Sequence, residues 1–367
     1  MAHLKKRHTE TQIYTLFILL LTPLFTACGC GCGCCCCDSP DDGDKSLWYR
    51  TMIDATYDRE WFVPVTPRYN WTEHWPDSIG IDPQALEFPL PAGLRVVTFT
   101  SDGKADHHNL DTHGGEVRMT GETTGLLFYN NDTEYILYKN TDSFTEATAT
   151  TRRRNVTFYS GNPRIGSDTV SEPVMSQPDM LYRRSLKEQA VDSALRIGES
   201  SPEDIHNIPV TLVPAVYVYV VHFGFDKGLN YVLNASAALS GVSAGVNLST
   251  GNTLDNACTL IFDCEKTADG ITGTVMSFGA PEYQPENPEL YHPDRRYGIT
   301  LRVVLTNSRI ISFTADITGQ MAAQPSGGIV MVGGLEIDEE DSKPTGGGSF
   351  DVTVDPWGAP NDYEINL

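Results

Sequence analysis

The segment Ile299–Ala315, which reads ITLRVVL-TNSR-IISFTA, contains the clearest fold signal of the 367-residue chain. Apolar residues largely alternate with polar ones on both sides of a short polar connection. This period of two is typical of β-strands that bury one face, and the connection TNSR has the composition of a tight turn. We therefore predict two antiparallel strands, Ile299–Leu305 and Ile310–Ala315, joined as a hairpin.

The same pattern continues along most of the chain after Ser46. Val, Ile, Tyr, Phe and Thr dominate the apolar runs, and Gly, Pro, Asn or Asp separates them. Many short strands at regular spacing indicate an all-β protein built from β-sandwiches. The other strands that we predict are Leu47–Tyr57, Leu94–Thr100, Glu116–Met119, Leu126–Tyr129, Tyr135–Tyr138, Asn155–Tyr159, Val210–Phe223, Thr259–Phe262, Thr272–Phe278, Ile329–Ile337, Phe350–Val354 and Tyr363–Leu367.

One segment predicts a helix instead of a strand. Ser185–Glu188 has the pattern of a capping box, and apolar residues then recur at helical spacing as far as Ile197. Gly198–His206 has the composition of a linker. Because about two domains are expected for a chain of this length, we predict an N-terminal β-sandwich over residues 46–205 and a C-terminal β-sandwich over residues 206–367.

The N-terminal residues 1–27 have the features of a lipoprotein signal peptide. The basic segment Lys5–Arg7 precedes the apolar run Ile13–Phe25, which is too short to span a bilayer comfortably. Small residues then lead into Cys28, and this arrangement resembles the bacterial signal in which the cysteine becomes the lipidated first residue of the mature chain. We predict acyl chains, including palmitate, on Cys28. An ordinary cleaved signal peptide is the alternative.

Residues 28–45 are predicted to form a tether. The acidic segment Asp38–Asp44 resembles the surface-export signal of Bacteroidetes lipoproteins, and a solvated acidic linker is the alternative. The cysteine tract before it can carry further acyl chains or disulfides, whereas it lacks the cysteine and histidine spacing of a metal site. The predicted location is the outer membrane, facing the cell surface. The cysteines of the tract beyond Cys28 are Cys30, Cys32, Cys34, Cys35, Cys36 and Cys37.

The chain is strongly acidic. It contains 48 Asp and Glu residues against 26 Lys and Arg residues, which gives a net charge of −22. Removal of residues 1–27 takes away three basic residues and one acidic residue, so the mature chain has a net charge of −24. Nucleic-acid binding by counterion release requires a basic surface, so nucleic acid is excluded as a partner. Anionic lipid head groups repel such a body, which fits a protein held away from the membrane by a tether.

Gly241–Gly245 matches the G-x-S-x-G pattern of a hydrolase nucleophile elbow. That motif requires a strand-to-helix turn, with an acid and a histidine downstream. Here a poor helix sequence follows, and His292 is the only later histidine. We therefore predict a glycine-rich strand or bulge, and no enzymatic activity. Cys258 and Cys264 lie about 20 Å apart on a straight strand, too far for a disulfide, and are predicted to be buried free thiols.

His107, His108 and His113 form the densest histidine group. On one strand His107 and His113 face the same side but lie about 20 Å apart. Only a turn between them would bring them together as zinc ligands. Gly114 and Gly115 place the predicted turn after His113, so we favour a solvent-facing polar strand over a metal site. No cofactor is predicted.

Four of the five tryptophans, Trp48, Trp61, Trp71 and Trp75, fall within 28 residues. Aromatic side chains bury large areas, so packing in a core is the favoured interpretation. The alternative is an exposed sugar-stacking platform made by Trp61, Trp71 and Trp75. Three Asp-Ser/Thr-aliphatic triplets also resemble the O-glycosylation sequon of Bacteroidetes. The acceptor residues of these triplets are Ser78, Thr169 and Ser193.

Five tracts resemble a Bacteroidales lipoprotein family of unassigned function (DUF5119-like): Tyr129–Ile136, Tyr138–Thr141, Gln177–Tyr182, Leu239–Ser243 and Gly347–Trp357. That family is similar to the FimB/Mfa2-type fimbrial anchor proteins of the fimbrillin group. The resemblance implies two transthyretin-like antiparallel β-sandwich domains and a role in type V pili, as anchor or minor subunit. It further implies fimbrial subunits as partners, with no catalytic residues and no cofactor.

Type V pili, as the resemblance implies, assemble by strand exchange, in which a strand of one subunit completes the sandwich of the next. Apolar residues alternate in the C-terminal segments Phe350–Val354 and Tyr363–Leu367. Either segment can complete its own sandwich or that of a neighbour, and we favour intramolecular pairing for the first. We predict a surface lipoprotein that anchors or caps a fimbria-like polymer. The alternative is a glycan-binding surface lipoprotein of a polysaccharide-uptake system.

Overall fold

Strands dominate the described part of the chain. A computed structural model describes residues 48–59, 79, 88–156, 172–187, 191, 205–291 and 295–343, together with the backbone of residues 361–365. Two short helices, α1 (Thr318–Ala323) and α2 (Glu339–Ser342), lie near its C-terminal end. The strands in chain order are β1 (Trp48–Tyr57), β2 (Leu94–Thr100), β3 (Ala105–Leu110), β4 (Gly114–Thr120), β5 (Thr123–Asn130), β6 (Ile136–Lys139), β7 (Thr148–Thr151), β8 (Val174–Met175), β9 (Tyr182–Lys187), β10 (Ile205–Pro214), β11 (Tyr217–Lys227), β12 (Val232–Ser243), β13 (Gly245–Asn247), β14 (Ala257–Lys266), β15 (Gly270–Ser277), β16 (Gly298–Leu305), β17 (Ile310–Asp316), β18 (Gly328–Glu336) and β19 (Asn361–Ile365).

The first sheet has the strand order β3-β2-β5-β9-β10-β1-β4. In β1, Tyr49, Thr51, Ile53 and Ala55 are buried and the residues between them are exposed, because successive side chains point to opposite faces. A turn closed by the Asp111–Gly114 bridge connects the two end strands, β3 and β4. The sheet therefore curls around its own hydrophobic core. The small sheet β13-β7-β6 contributes further residues to this core.

The second sheet has the strand order β18-β11-β15-β14-β12-β16-β17-β19, with β8 beside β14. The predicted hairpin is confirmed, since β16 and β17 pair antiparallel from Gly298 opposite Asp316 to Val304 opposite Ile310. Its turn contains Ser308 with a φ of 68°. Alternate residues of both strands enter a second hydrophobic core. The prediction of an all-β fold of the sandwich type is therefore confirmed.

Four strand pairs in the described residues are parallel, whereas the sequence predicts antiparallel pairing. They are β1 with β10, β8 with β14, β11 with β18, and β17 with β19. Parallel neighbours require a long connection. The partners are therefore far apart in sequence, and alternation within one strand does not identify them.

The single strand predicted over Val210–Phe223 is wrong, because two strands occupy this region. β10 ends at Pro214, and β11 begins at Tyr217. The backbone N–H of Ala215, between them, donates to the carbonyl oxygen of Leu181, 2.8 Å away. Here the chain passes from the first sheet to the second. Proline has no N–H for a sheet ladder, which makes it suited to the end of a strand.

The helix predicted from Ser185 is wrong at its start. Ser185–Lys187 belongs to β9, which pairs antiparallel with β5. The Ser185 hydroxyl donates to the Ser249 carbonyl oxygen at 2.6 Å. Pairing with a distant strand has overridden the local capping pattern. Val191 is helical, and the rest of the predicted helix lies outside the described residues.

The predicted division at residue 205 remains a prediction. Strand β10, which that division places in the C-terminal half, pairs with β1 in the first sheet. The sheet changes between Pro214 and Tyr217. Both sheets belong to the unit that extends over Ser46–Leu367.

Most predicted strands correspond to observed ones within a few residues. Asn155 and Val156 are not in a strand, and the rest of Asn155–Tyr159 lies outside the described residues, as does all of Phe350–Val354. The strands that sequence patterns did not predict are β3, β7, β8, β9, β12 and β13.

Candidate functional site

The residues predicted for modification or glycan binding lie outside the described part of the chain. Lipidation, O-glycosylation and sugar stacking therefore remain predictions. Trp48, the described member of the tryptophan cluster, is 54% exposed and is not core filler. The residues concerned are Cys28, Cys30, Cys32, Cys34, Cys35, Cys36, Cys37, Trp61, Trp71, Trp75, Ser78, Thr169 and Ser193.

Ser243 of the G-x-S-x-G motif is buried at the end of β12, and the chain continues into another strand, β13. Its hydroxyl oxygen lies 2.8 Å from the Gly245 carbonyl oxygen and 2.9 Å from that of Leu254, so its proton is held by backbone acceptors. The register of β12 against β14 shifts between Ser240 and Val242. The predicted bulge is therefore confirmed, and the hydroxyl is not placed as a nucleophile.

Glu172 holds this bulge. Its carboxylate accepts a hydrogen bond from the Gly241 N–H at 3.0 Å and another from the Thr259 hydroxyl at 3.3 Å. Burial raises the pKa of Glu172, while these two hydrogen bonds lower it. A positive φ of 93° at Gly241 and contact with Tyr297 explain why this position takes glycine.

The histidines do not converge on a metal. His107 in β3 pairs with Asp142 at 2.8 Å, and His108 lies 3.5 Å from Asp106. His113 is exposed and lies within the turn before β4. The prediction that the turn follows His113 is therefore wrong. No group of three or more His, Cys, Asp or Glu residues within the described ranges could hold a metal ion.

Cys258 and Cys264 are buried free thiols, as predicted. They lie on β14 and enter the second core together with its apolar residues. Burial raises the pKa of Cys264 to about 12. Burial also raises the pKa of Cys258. Both thiols are therefore protonated at neutral pH and unsuited to nucleophilic or metal-binding roles.

Two of the tracts that carry the family resemblance contact each other. Asn130 donates to the Met180 carbonyl oxygen at 3.1 Å and accepts from the Tyr182 N–H at 2.7 Å. Asp179 accepts from the Tyr135 N–H at 2.6 Å. These polar side chains satisfy backbone groups where β5 and β9 meet, so their role is structural.

Two clefts open on the described surface. One, of about 450 Å³, lies between Phe88–Pro91 and strands β11 and β15, and Asp132 and Asp179 also line it. The other, of about 370 Å³, lies on the outer face of the second sheet, and Arg154, Asp263 and Arg302 line it. Both signs of charge are present in the second.

The best candidate site is the outer edge of the second sheet, where β19 pairs in parallel with β17. The register extends from Ile311 opposite Asn361 to Ala315 opposite Ile365. On β17, Ile311, Phe313 and Ala315 are at most 5% exposed and belong to the second core. Among the described residues, β19 is the last strand of this sheet, and the edge of a sheet is where main-chain hydrogen bonds to an added strand can form.

The sequence profile of a domain of unknown function, DUF5119, matches residues 78–263. A Bacteroides ovatus protein described as "Putative fimbrium anchoring subunit Fim4B" is 21% identical over 313 residues, which cover 78% of this chain and 88% of that protein. Neither the matched family nor this relative is described as an enzyme. No helix within the described ranges is long and apolar enough to cross a membrane.

A solved structure shows the same type of fold. A structure of a "putative adhesin" from Bacteroides ovatus aligns with a TM-score of 0.51 and 20% identity, covering 84% of this chain and 98% of that one. The structure "The fimbrial anchor protein Mfa2 from Porphyromonas gingivalis" aligns with a TM-score of 0.42 and 10% identity, covering 80% of this chain and 93% of that one.

Proposed function

The chain belongs to the DUF5119 family, and on this premise we propose that it is an anchor or minor subunit of a fimbria-like polymer of the type V kind. The role is structural and adhesive and involves no enzymatic activity. Support comes from the curated relative, whose description names a fimbrium anchoring subunit and which this chain matches over most of its length. The all-β fold is compatible with assembly through strand addition.

The observation that carries the proposal is the pairing of β19 with β17. We infer that β17 is the acceptor edge and that β19 occupies it until a strand of a fimbrial subunit takes its place. Exchange of one strand for another preserves the main-chain hydrogen bonds. The apolar groups along β17 then decide which incoming sequence fits, because alternate side chains of an added strand fill alternate pockets.

We further propose that the N-terminal segment attaches the protein to the membrane. Acylation of Cys28 would hold the chain in the outer membrane, and residues 28–45 would extend the body from the surface. In cells that export the protein, Cys28→Ala is expected to release it from the membrane fraction, as measured by fractionation and metabolic labelling with palmitate. Retention of the unlabelled variant in the membrane would contradict the lipid anchor.

A reversible lock tests the exchange directly. Thr314 and Glu364 are register partners on β17 and β19, so Thr314→Cys with Glu364→Cys places two thiols on adjacent strands. The oxidised variant is expected to lose copurifying fimbrial subunits, and the reduced variant is expected to recover them. The single substitution Thr314→Cys is the matched control. Equal recovery of subunits in the oxidised and reduced states would contradict exchange at β17.

A further inference from the structure

Strand β18 lies at the opposite end of the second sheet, and β11 is its only strand partner within the described residues. Such an edge exposes unpaired N–H and C=O groups, to which a strand of another chain can add. On β18 these groups are not free. The backbone of Ile329 and of Met331 is hydrogen-bonded to two glutamine side chains of the segment that precedes it.

Each glutamine side chain makes the two hydrogen bonds that a residue of a neighbouring strand would make to β18. The Gln324 carboxamide accepts from the Ile329 N–H at 2.7 Å and donates to the Ile329 carbonyl oxygen at 3.1 Å. The Gln320 carboxamide accepts from the Met331 N–H at 2.8 Å and donates to the Met331 carbonyl oxygen at 2.9 Å. A carboxamide offers one acceptor and a donor in the same plane, as a peptide group does.

The geometry of α1 explains why two glutamines fit one strand. Gln320 lies in α1 and Gln324 is its C-terminal cap residue, four positions later. Four helical residues advance about 6 Å, which is close to the roughly 6.6 Å between alternate residues of a strand. Met321 between them is fully buried in the second core. The helix is therefore anchored with this spacing against the edge.

The part of the edge beyond Met331 is interrupted in a different way. Between Val332 and Leu335, β18 has one residue more than β11, because Phe223 pairs with Val332 and Phe225 pairs with Leu335. The bulge contains Gly333 and Gly334, and Gly334 has a φ of 77°. A bulge twists an edge strand and breaks the regular ladder that an added strand requires.

We infer that Gln320 and Gln324 form a side-chain clamp that takes the place of a neighbouring strand and prevents strand addition at β18. The clamp protects the first half of the edge, and the bulge protects the second half. The partner that it excludes is the β18 edge of a second copy of this chain. Strand exchange would then be confined to the β17 side, and assembly would proceed in one direction only. The clamp itself stands independently of the function proposed for β17.

The test replaces both glutamines by an apolar residue of similar size, Gln320→Met with Gln324→Met, in the full-length chain. Gln177→Met is the matched control. The Gln177 carboxamide likewise joins two backbone groups, of Ile261 and Met276, but does so between strands inside the sheet. Both variants lose carboxamide-to-backbone bonds, and only the first uncovers a sheet edge.

At low protein concentration, hydrogen exchange at the Ile329 and Met331 amides is expected to become about fivefold faster in the clamp variant, since each amide loses one hydrogen bond with a net contribution of about 1 kcal/mol. At high concentration, light scattering is expected to show self-association, and protection of these two amides is expected to return. The Gln177→Met control is expected to stay at the oligomeric state of the unmodified chain.

Faster exchange without concentration-dependent association would overturn the inference, because the glutamines would then stabilise the helix and not guard the edge. Unchanged exchange at both amides would also overturn it. If the double variant does not fold, Gln320→Met alone leaves Gln324 on Ile329 and uncovers Met331, and the same two measurements apply. Neither result depends on whether β17 exchanges strands.

Discussion

Deletion of β19 is the most informative perturbation of the proposed acceptor edge. A chain that ends at Trp357 lacks β19 and with it five register pairs to β17. A parallel pair of this length makes about four main-chain hydrogen bonds, each with a net contribution of about 1 kcal/mol. The loss in the free energy of unfolding is therefore expected to be no more than about 4 kcal/mol.

The truncated chain is expected to remain cooperatively folded, because β17 stays paired with β16 and its apolar residues stay in the second core. For a protein of this size, the melting temperature is expected to fall by roughly 10 °C or less. Thermal and denaturant unfolding, followed by circular dichroism, measure the two quantities. Hydrogen exchange is expected to increase on β17 and to remain unchanged on β12 and β14.

A peptide with the sequence of residues 358–367 is expected to bind the truncated chain and to restore protection on β17. The same peptide with Tyr363→Pro is the control, since proline removes a ladder hydrogen bond. Gross unfolding of the truncated chain, or loss of protection throughout the second sheet, would refute the reasoning. Such a result would show that β19 is an integral part of its own sandwich.

Three further predictions concern a buried histidine, a buried thiol and two glycines with positive φ. Burial lowers the pKa of His222 and outweighs the opposing effect of Asp269, so the unfolded chain binds this proton more readily than the folded chain. The contribution of His222 to the free energy of unfolding is therefore expected to be fully present above the unfolded pKa of about 6.5. Below that pH the free energy of unfolding is expected to fall by at most about 1.4 kcal/mol per pH unit. His222→Gln, compared by urea unfolding between pH 7 and pH 5, is expected to flatten this dependence, and an unchanged slope would rule out His222 as its source. Cys264 is expected to resist iodoacetamide at pH 8 until the chain unfolds, as read by peptide mass spectrometry, and rapid native labelling would contradict its burial. Gly103→Ala is expected to lower the free energy of unfolding by about 1 kcal/mol because of the left-handed φ at this position. Gly114→Ala is expected to lower it by more, because the added Cβ would overlap a backbone carbonyl of β1. Chemical denaturation measures both losses, and equal losses would contradict this contact.

The strands that could be predicted are those with a strong local pattern. In β16 and β17, apolar and polar residues alternate, and a polar turn separates them, so the hairpin follows from the sequence alone. In β1 the alternation is equally regular, and the predicted strand differs from the observed one by a single residue. Where one face of a strand is buried and the other is solvated, local sequence is sufficient.

The strands that were missed lack such a pattern for identifiable reasons. β12 reads VLNASAALSGVS and has partners on both sides, and every residue from Ala237 to Ser243 is buried, so buried and exposed residues do not alternate there. β3 reads ADHHNL and has no buried residue. β9 begins inside the tract that resembles the family and carries a capping pattern, but β5 pairs with it from more than fifty residues away. Pairing partners, and not local propensity, decided these three strands.

The candidate site was predictable only in part. Alternation in Tyr363–Leu367 indicated a C-terminal strand, but its parallel partner β17 became evident only from the structure. The clamp on β18 had no sequence signal, because it depends on the match between the rise of α1 and the spacing of a strand. A Gln-x-x-x-Gln pair preceding an apolar, glycine-rich strand is a pattern that could be sought in other edge strands.

The central claim is that a fimbrial subunit takes the place of β19 on β17. The most direct measurement is purification of the membrane-anchored protein from its native cells, with Thr314→Cys and Glu364→Cys either oxidised or reduced, followed by electrophoresis and mass spectrometry. The account predicts a heat-resistant ladder of fimbrillin-like β-sandwich subunits with the reduced protein and its loss with the oxidised protein. Recovery of an outer-membrane transporter or a polysaccharide, without fimbrial subunits in either state, would contradict it and would favour the glycan-binding alternative.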